Sequence, residues 1–390
     1  MLRVLTLSTL FPDASRPNFG VFVERQTLGL AAHPGVDLRV VAPLGIPPWP
    51  LARHGHYAPL AALPERETWK GLDIRRPRFL ALPGTGGRFH AGSLVRRLVP
   101  LLTALRRDFA FDVIDAEFFF PDGPAAVALG RHFGVPVSIK ARGADIHHWG
   151  RAPATAAQVI AAGQAADGLL AVSQAMRHDM AVLGLPEAGI RVHHTGVDLD
   201  RFGARDRAAA KAAYGVAGPL VVSLGALIPR KGHDIVVSAM ASLPAATLLI
   251  AGEGPARAAL TTQIARLGLT DRVRLLGSVP HDDLPALLGA ADVMALASAS
   301  EGLANAWVEA LACGTPIVIT GAGGAAEVVT EPAFGRITER SASAFAEAIG
   351  DVLANPPSAQ DVRRGAERFT WAANTAALYD HLAGLVSARR

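Results

Sequence analysis

Two doubly wound α/β domains, each a parallel sheet covered by helices on both faces, are predicted for this chain of 390 residues. Three observations lead there. At roughly 150 residues per domain, the length suits two folded units better than one. Short apolar runs of strand length recur between Ala-rich amphipathic stretches, and that rhythm stops and restarts once, after His194-Thr195-Gly196. Half the residues are hydrophobic and 18% are charged, with 39 Gly and 27 Pro, which suits a turn-rich globular protein and excludes disordered, collagen-like and coiled-coil chains.

In the first half the strands are expected over residues 3–10, 38–42, 112–116, 136–140 and 168–173. Each is nearly continuously apolar, as a strand covered on both faces must be. Residues 72–79 differ, because Leu72, Ile74 and Phe79 are interleaved with arginines, which predicts a half-exposed or edge strand. The second half repeats the pattern over 220–224, 246–251, 273–276, 292–296 and 317–320. The gap between them, 196–218, reads as a hinge. The resulting division is an N-terminal domain over 1–195 and a C-terminal domain over 196–370, with a terminal helix over 371–390 placed to pack back across the boundary. Open parallel sheets bind ligands at the carboxyl ends of their strands, so the site is expected in a cleft between the domains.

Charge and cysteine usage narrow the class. Net charge is +4. Residues 1–195 hold 21 Lys and Arg against 15 Asp and Glu, and residues 196–390 hold 17 against 19, so the basic excess lies in the first half. No nucleic-acid partner is expected. The single cysteine, Cys313, permits no internal disulfide or cysteine-based metal cluster and fits a reducing compartment. The longest charge-free window, 310–326, is broken by Pro316 and four glycines, which excludes a membrane-crossing helix there. The apolar start, residues 1–11, reads as a first strand and not a signal peptide, so a cytoplasmic location is expected. Arg96, Arg97, Arg106 and Arg107 bracket an apolar stretch over 98–105. Two readings stand: a segment resting on an anionic inner membrane face to collect a lipid-linked acceptor, or a surface helix with solvated arginines.

The densest chemistry lies in residues 297–316. A strand ending near Leu296 leads through a loop with Gly302 to a helix N-capped by Asn305 and terminated by Gly314 and Pro316. That geometry puts Glu301 in the loop and Glu309 about one turn into the helix, whose first N–H groups suit an anion. The next strand runs into Gly321-Ala322-Gly323-Gly324, a second turn able to approach a phosphate closely. A third strand-to-helix turn, 225–234, carries Arg230-Lys231, two cations suited to a diphosphate. It is not a Walker P-loop, since no Gly-x-x-x-x-Gly-Lys-Ser/Thr spacing exists in the chain. Gly252-Glu253-Gly254-Pro255 is half a dinucleotide fingerprint, with Arg257 where the third glycine belongs, so NAD and FAD are set aside. Asp198-Leu199-Asp200 looks like a metal motif but falls in the hinge turn. The pairs His147-His148 and His193-His194, read as strand residues, point to opposite faces, and no metal site is expected.

Taken together these residues resemble the retaining family 4 nucleotide-sugar glycosyltransferases, whose GT-B architecture has two Rossmann-like domains facing across a cleft. The resemblance covers nearly the whole chain. Its most specific piece is S-x-x-E-G-x-x-N-x-x-x-E-A-x-A-x-G-x-P-x-V, holding Glu301 and Glu309, followed by Gly323-Gly324 and Glu327. Supporting matches are Phe11-Pro12 with Gly20 to Gln26, Pro121-Asp122-Gly123, Arg142-Gly143-Ala144-Asp145, Thr195-Gly196-Val197-Asp198, Pro229-Arg230-Lys231-Gly232 and Gly252-Glu253-Gly254.

The resemblance implies roles. Glu309 would bind the donor's ribose hydroxyls, while Glu301 with Gly302, Leu303 and Ala304 would hold the donor sugar. Lys231 and Arg230 would neutralise the diphosphate, and Gly225, Gly252, Gly323 and Gly324 would line the donor. Gly20 would belong to the first-domain loop near the phosphates and acceptor, and Arg142 to Asp145 would face the transferred sugar. Glu327 is either a donor contact or an acid favourable at a helix start, and Arg142 and Asp145 either serve the site or pair with each other. Many relatives carry Arg where this chain has Ala226, and His where it has Arg142. The expected activity is sugar transfer from a nucleoside diphosphate to a hydroxyl on a carbohydrate or lipid-linked acceptor, in surface polysaccharide or glycolipid assembly. No cofactor or metal is expected beyond the nucleotide sugar as co-substrate. A sugar-nucleotide epimerase and a non-catalytic sugar-nucleotide sensor are the other readings.

Overall fold

Leucine-rich and β-branched runs form the strands of two main sheets that are parallel but for one edge pairing, because a strand covered by helices on both faces must be apolar on both. The structure is a computed structural model that describes residues 1–55 and 57–389. It divides into unit 1, Met1–Gly196 with Trp371–Arg390, and unit 2, Val197–Thr370. Arg390, the end of the predicted terminal helix, lies outside the described residues.

Unit 1 contains β1 (Leu2–Leu7), β2 (Val36–Val41), β3 (Leu44–Ile46), β4 (Arg66–Trp69), β5 (Leu72–Arg75), β6 (Arg78–Leu80), β7 (Val113–Ala116), β8 (Val137–Ala141), β9 (Gly168–Ala171) and β10 (Ile190–Val192). Eight of them join in the order β10-β9-β8-β7-β1-β2-β5-β4. All neighbours are parallel except β4 and β5. The predicted single strand over 72–79 is corrected here: it splits into β5 in the main sheet and β6, which pairs with β3 in a separate ribbon. Pro77 has no N–H to continue the ladder, and the guanidinium of Arg76 turns inward to donate to the Pro12 carbonyl at 2.7 Å. The sheet edge is β4 instead.

Two helices of unit 1 bear on the terminal-helix and basic-segment expectations. The helix Trp371–Ala388 packs on the helix Val21–Ala32, with the Tyr379 ring stacked 4.0 Å from that of His33. The helix His90–Leu105 turns Ala91, Leu94, Leu98 and Leu102 inward and leaves Arg96, Arg97 and Arg107 exposed. Its apolar stripe is therefore consumed by the core, and Arg106 lies over the rings of Phe111 and Phe133.

Unit 2 contains β11 (Leu220–Leu224), β12 (Thr247–Ala251), β13 (Val273–Gly277), β14 (Val293–Leu296), β15 (Ile317–Thr320) and β16 (Gly335–Thr338). They form one parallel sheet in the order β13-β12-β11-β14-β15-β16. From β11 the chain builds outward to β13, then returns to lay β14 on the other side of β11. Connections leave β11 and β14 in opposite directions, so the crevice at their carboxyl ends is the topological switch point. The stretch predicted as a hinge holds a helix, Arg207–Ala213, capped by Asp206, whose carboxylate accepts from the N–H groups of Ala208 and Ala209.

Candidate active site

The switch point of unit 2 gathers most of the sequence-predicted residues. Beyond β11, Gly225 opens a turn that runs through the short 3-10 segment Pro229–Lys231 to the helix His233–Ala239. Beyond β14, the loop 297–304 carries Glu301. The Lys231 Nζ donates to Glu301 Oε1 at 2.5 Å, and the Ser298 hydroxyl donates to the same oxygen at 2.6 Å. Arg230 Nη1 lies 3.6 Å from Glu301 Oε2 and also donates to the Ser300 carbonyl. The Glu301 side chain is 8% exposed and that of Lys231 15%, so this pair is screened by little water.

Glycine makes the approach of these loops sterically feasible. Gly323 has φ +54°, and a Cβ there would stand 2.3 Å from the Glu301 carbonyl oxygen and 2.6 Å from that of Gly302. Gly324 N–H donates to the Gly302 carbonyl at 2.8 Å, so the Gly323-Gly324 turn is laced to the Glu301 loop. Gly252, at the end of β12, has φ +150°, and its Cβ would meet the Gly225 oxygen at 1.8 Å. No side chain fits either place. Leu303 and Ala304 are buried beside Gly302. Glu327 sits in the four-residue helix Ala325–Val328, where its carbonyl accepts from Arg368.

Glu309 lies on the helix Asn305–Ala312. The expected Asn305 cap is corrected: Ala304 is the N-cap, without a side-chain hydrogen bond, and Asn305 is the first helical residue. The Glu309 Oε1 is 2.7 Å from His281 Nε2, and no described contact joins the two carboxylates. Cys313 closes this helix, its thiol buried and pushed up to about 12 by burial and by Glu309, so it is inert packing. Under the Arg230-Lys231 turn, His233 is buried with Nδ1 2.9 Å from the Ser223 hydroxyl. Burial and the Lys231 charge press its pKa down to about 4, so the ring is neutral.

Unit 1 assembles a second polar cluster at its own switch point, the carboxyl ends of β1, β7 and β8. Gly20 leads into the helix Val21–Ala32, its carbonyl accepting from the N–H groups of Val23 and Glu24. Arg142 and Asp145, predicted as possible mutual partners, are joined only through the backbone. The Asp145 carboxylate accepts from the N–H groups of Arg142, Gly143, Phe119 and Ile146 at 2.7–3.2 Å, whereas the Arg142 guanidinium pairs with Glu117 and lies 4.9 Å over the Phe22 ring. Burial raises the Asp145 pKa against those hydrogen bonds. Glu117 behaves oppositely: burial alone would raise it, but the Arg142 and Lys140 charges hold it below its ordinary value. Lys140 Nζ donates to Gln26 Oε1 at 2.6 Å and approaches His193 Nδ1 at 2.7 Å. Burial pushes the Lys140 pKa well down.

His193 Nε2 is 2.8 Å from the Asn374 carbonyl, which ties this cluster to the helix Trp371–Ala388. Nearby, Asp122 accepts from the Thr9 N–H at 2.8 Å, and burial pushes its pKa up to about 8. The placement of His147-His148 on a strand is corrected as well. They lie in a wide helical turn, Asp145–Trp149, and His147 Nε2 is 2.8 Å from Asp179.

Sequence reasoning missed His281 and Arg201 in unit 2 and Asp115, Glu117 and Lys140 in unit 1, and it gave Ser298, Gln26 and His193 no role of their own. One signal was present: Asp115 and Lys140 stand inside otherwise apolar strands, and a charge in such a strand needs a buried partner. The Asp198 of the metal-like motif is a turn former, its Oδ1 accepting from the N–H groups of Asp200 and Arg201 at 3.1 and 3.0 Å. Among the described residues no group of three or more His, Cys, Asp or Glu is placed to hold a metal, and no helix is long and apolar enough to cross a membrane.

Comparison with known proteins covers both units. The family model Glycosyltransferase Family 4 matches residues 21–201, and the model Glycosyl transferases group 1 matches residues 206–369. The chain is 28% identical over 369 residues to a Bacillus subtilis protein named as a teichuronic acid biosynthesis glycosyltransferase, TuaC, covering 89% of this chain and 88% of that one. It is 32% identical over 262 residues to the GDP-mannose-dependent alpha-(1-6)-phosphatidylinositol monomannoside mannosyltransferase of Mycolicibacterium smegmatis, covering 62% and 69%. Among solved structures, sucrose-phosphate synthase from Thermosynechococcus elongatus matches with a TM-score of 0.83 and 20% identity over 100% of both chains, a likeness of fold.

Proposed function

We propose that this chain, which belongs to the family 4 glycosyltransferases, moves a sugar from a nucleoside diphosphate to a hydroxyl acceptor and keeps the sugar's anomeric configuration. The observation that carries this reading is the convergence of Lys231 on Glu301 at the switch point of unit 2, at 2.5 Å. Cleaving a glycosyl phosphate builds negative charge on the leaving diphosphate, and fixed cations aimed at it lower the barrier. Lys231 supplies one such charge, and Arg230, 3.6 Å from Glu301, supplies a second in place of the arginine that Ala226 does not offer. Glu301 accepts hydrogen bonds from the sugar hydroxyls, Glu309 accepts from the ribose, and the Gly323-Gly324 turn lets the donor approach the backbone. With its Oε1 engaged by Lys231 and Ser298, Glu301 suits a hydrogen-bonding role better than that of a nucleophile, in keeping with front-face transfer. No resident metal or cofactor takes part.

On the acceptor side, the resemblance assigns the Arg142–Asp145 loop to the transferred sugar and Gly20 to the loop near the phosphates and acceptor. The acceptor is a growing surface polysaccharide or a glycolipid, a reading supported by one relative named for teichuronic acid biosynthesis and one named for phosphatidylinositol monomannoside. The exposed Arg96, Arg97 and Arg107 suit contact with an anionic membrane at its cytoplasmic face. Flotation with anionic liposomes tests that contact, and no co-migration would refute it. The central test is a thermal-shift screen against UDP-, GDP- and ADP-sugars, followed by NMR of the product's anomeric proton. Donor-specific stabilisation and a product of unchanged configuration are expected, and an inverted product or an epimerised donor without transfer would overturn the reading.

A further inference from the structure

We infer that His281, held by Arg201, is a positioning residue for donor binding: it locks the Glu309 carboxylate in the orientation that presents Oε2 to the nucleotide's ribose. The inference rests on the proposed donor site and adds to it a residue that neither the motif nor its spacing identifies.

The geometry runs through three side chains. Arg201 Nη2 lies 3.0 Å from His281 Nδ1 and donates also to the His281 carbonyl. Guanidinium has only donors, so we assign Nδ1 as the accepting nitrogen and the proton to Nε2. That Nε2–H points at Glu309 Oε1, 2.7 Å away. The tautomer is thus set from one side and used on the other, as in other oriented histidines.

Arg201 is itself fixed. The Asp198 turn holds its backbone N–H at 3.0 Å, and Asp282 Oδ1 lies 2.6 Å from its Nη2. Its guanidinium is 5.4 Å from the Phe202 ring centroid, and that ring meets His281 edge-on at 5.5 Å. The Asp-x-Asp motif therefore has a use without metal, as the turn that delivers Arg201.

On Glu309 the structure places one hydrogen bond, at Oε1. Oε2 accepts none from a described residue, and the side chain is 11% exposed. A carboxylate so restrained keeps one oxygen for a ligand and loses little freedom on binding, which raises affinity through preorganisation.

The test is calorimetric binding of UDP, GDP and ADP, each beside its 2′-deoxy and 3′-deoxy counterparts, to the full chain and to His281→Ala and His281→Gln. Wild type should favour the ribonucleotide over at least one deoxy form. His281→Ala should reduce that preference about tenfold, the cost of loosening one hydrogen bond to a charged group. His281→Gln, which keeps an N–H where Nε2 stood, should restore most of it. Equal weakening of ribo and deoxy ligands in His281→Ala, or a preference left at the wild-type level, overturns the positioning role alone. A wild type that does not distinguish ribo from deoxy ligands overturns the ribose assignment of Glu309 and this inference with it.

Discussion

Lys231 and Glu301, 70 residues apart, meet at 2.5 Å where β11 and β14 end. Only the reversal of strand order at that point brings their two loops together. The pair is also an energetic unit, since each charge is largely buried and compensates the other.

Removing Lys231 leaves the buried Glu301 carboxylate to Ser298 and the more distant Arg230, and neutralising Glu301 takes away the Lys231 counter-charge. Lys231→Met and Glu301→Gln should each lower stability by about 1.5–3 kcal/mol, and the double variant should lose less than their sum. Turnover should fall by about 10²-fold or more in each single variant. Thermal melts and initial rates on the four proteins check this, and additive stability losses would show that the contact is not coupled.

Gly323→Ala tests the packing of the turn on the Glu301 loop. The added Cβ has no room at 2.3 Å from a carbonyl oxygen, so the loop must shift. Donor affinity should fall by about tenfold or more, and the melting temperature should drop as well, because a non-glycine residue at φ +54° is strained. Calorimetry with the preferred donor is the check.

Asp122 shapes the alkaline side of the stability profile. Its folded-state pKa of about 8 exceeds the ordinary carboxylate value, so the folded protein prefers the neutral acid. The contribution is full below the unfolded-state pKa and is lost as pH rises towards 8. Asp122→Asn should flatten the fall in melting temperature between about pH 5 and 8. A variant with the wild-type slope would refute it.

His381 acts on the acid side. Burial presses its pKa to about 4, with Nε2 3.0 Å from the Ser138 hydroxyl. The ring is neutral in the folded protein, so this contribution is full above about 6.5, the unfolded value, and is lost as pH falls through the folded pKa. His381→Gln keeps a polar partner for Ser138 and should remove up to about 3 kcal/mol of the loss between pH 6.5 and 4. Denaturant titrations across that range measure it.

Much of unit 2 was legible because its strands are continuous apolar runs and its loops carry glycine, proline and charge at strand ends. The Glu301 and Glu309 spacing singled out the loop and helix that follow β14. What escaped was the partner of each acid. Ser298 opens the S-x-x-E motif, but the motif does not say that its hydroxyl bonds Glu301, and His281 lies 28 residues from Glu309 in a stretch with no motif of its own. Asn305 misled, since a good capping residue can stand one position inside the helix that it was expected to cap.

The order of residues along the chain decided the α/β class, the two sheets and the charged turns, because apolar periodicity and turn chemistry are local properties. Tertiary folding alone decided that Arg142 turns to Glu117 and not to Asp145, that Lys140 and His193 are neighbours, and that Arg201 reaches Glu309 through His281. Those pairings join residues on different strands and loops, and a buried polar group takes whichever partner packing brings within reach.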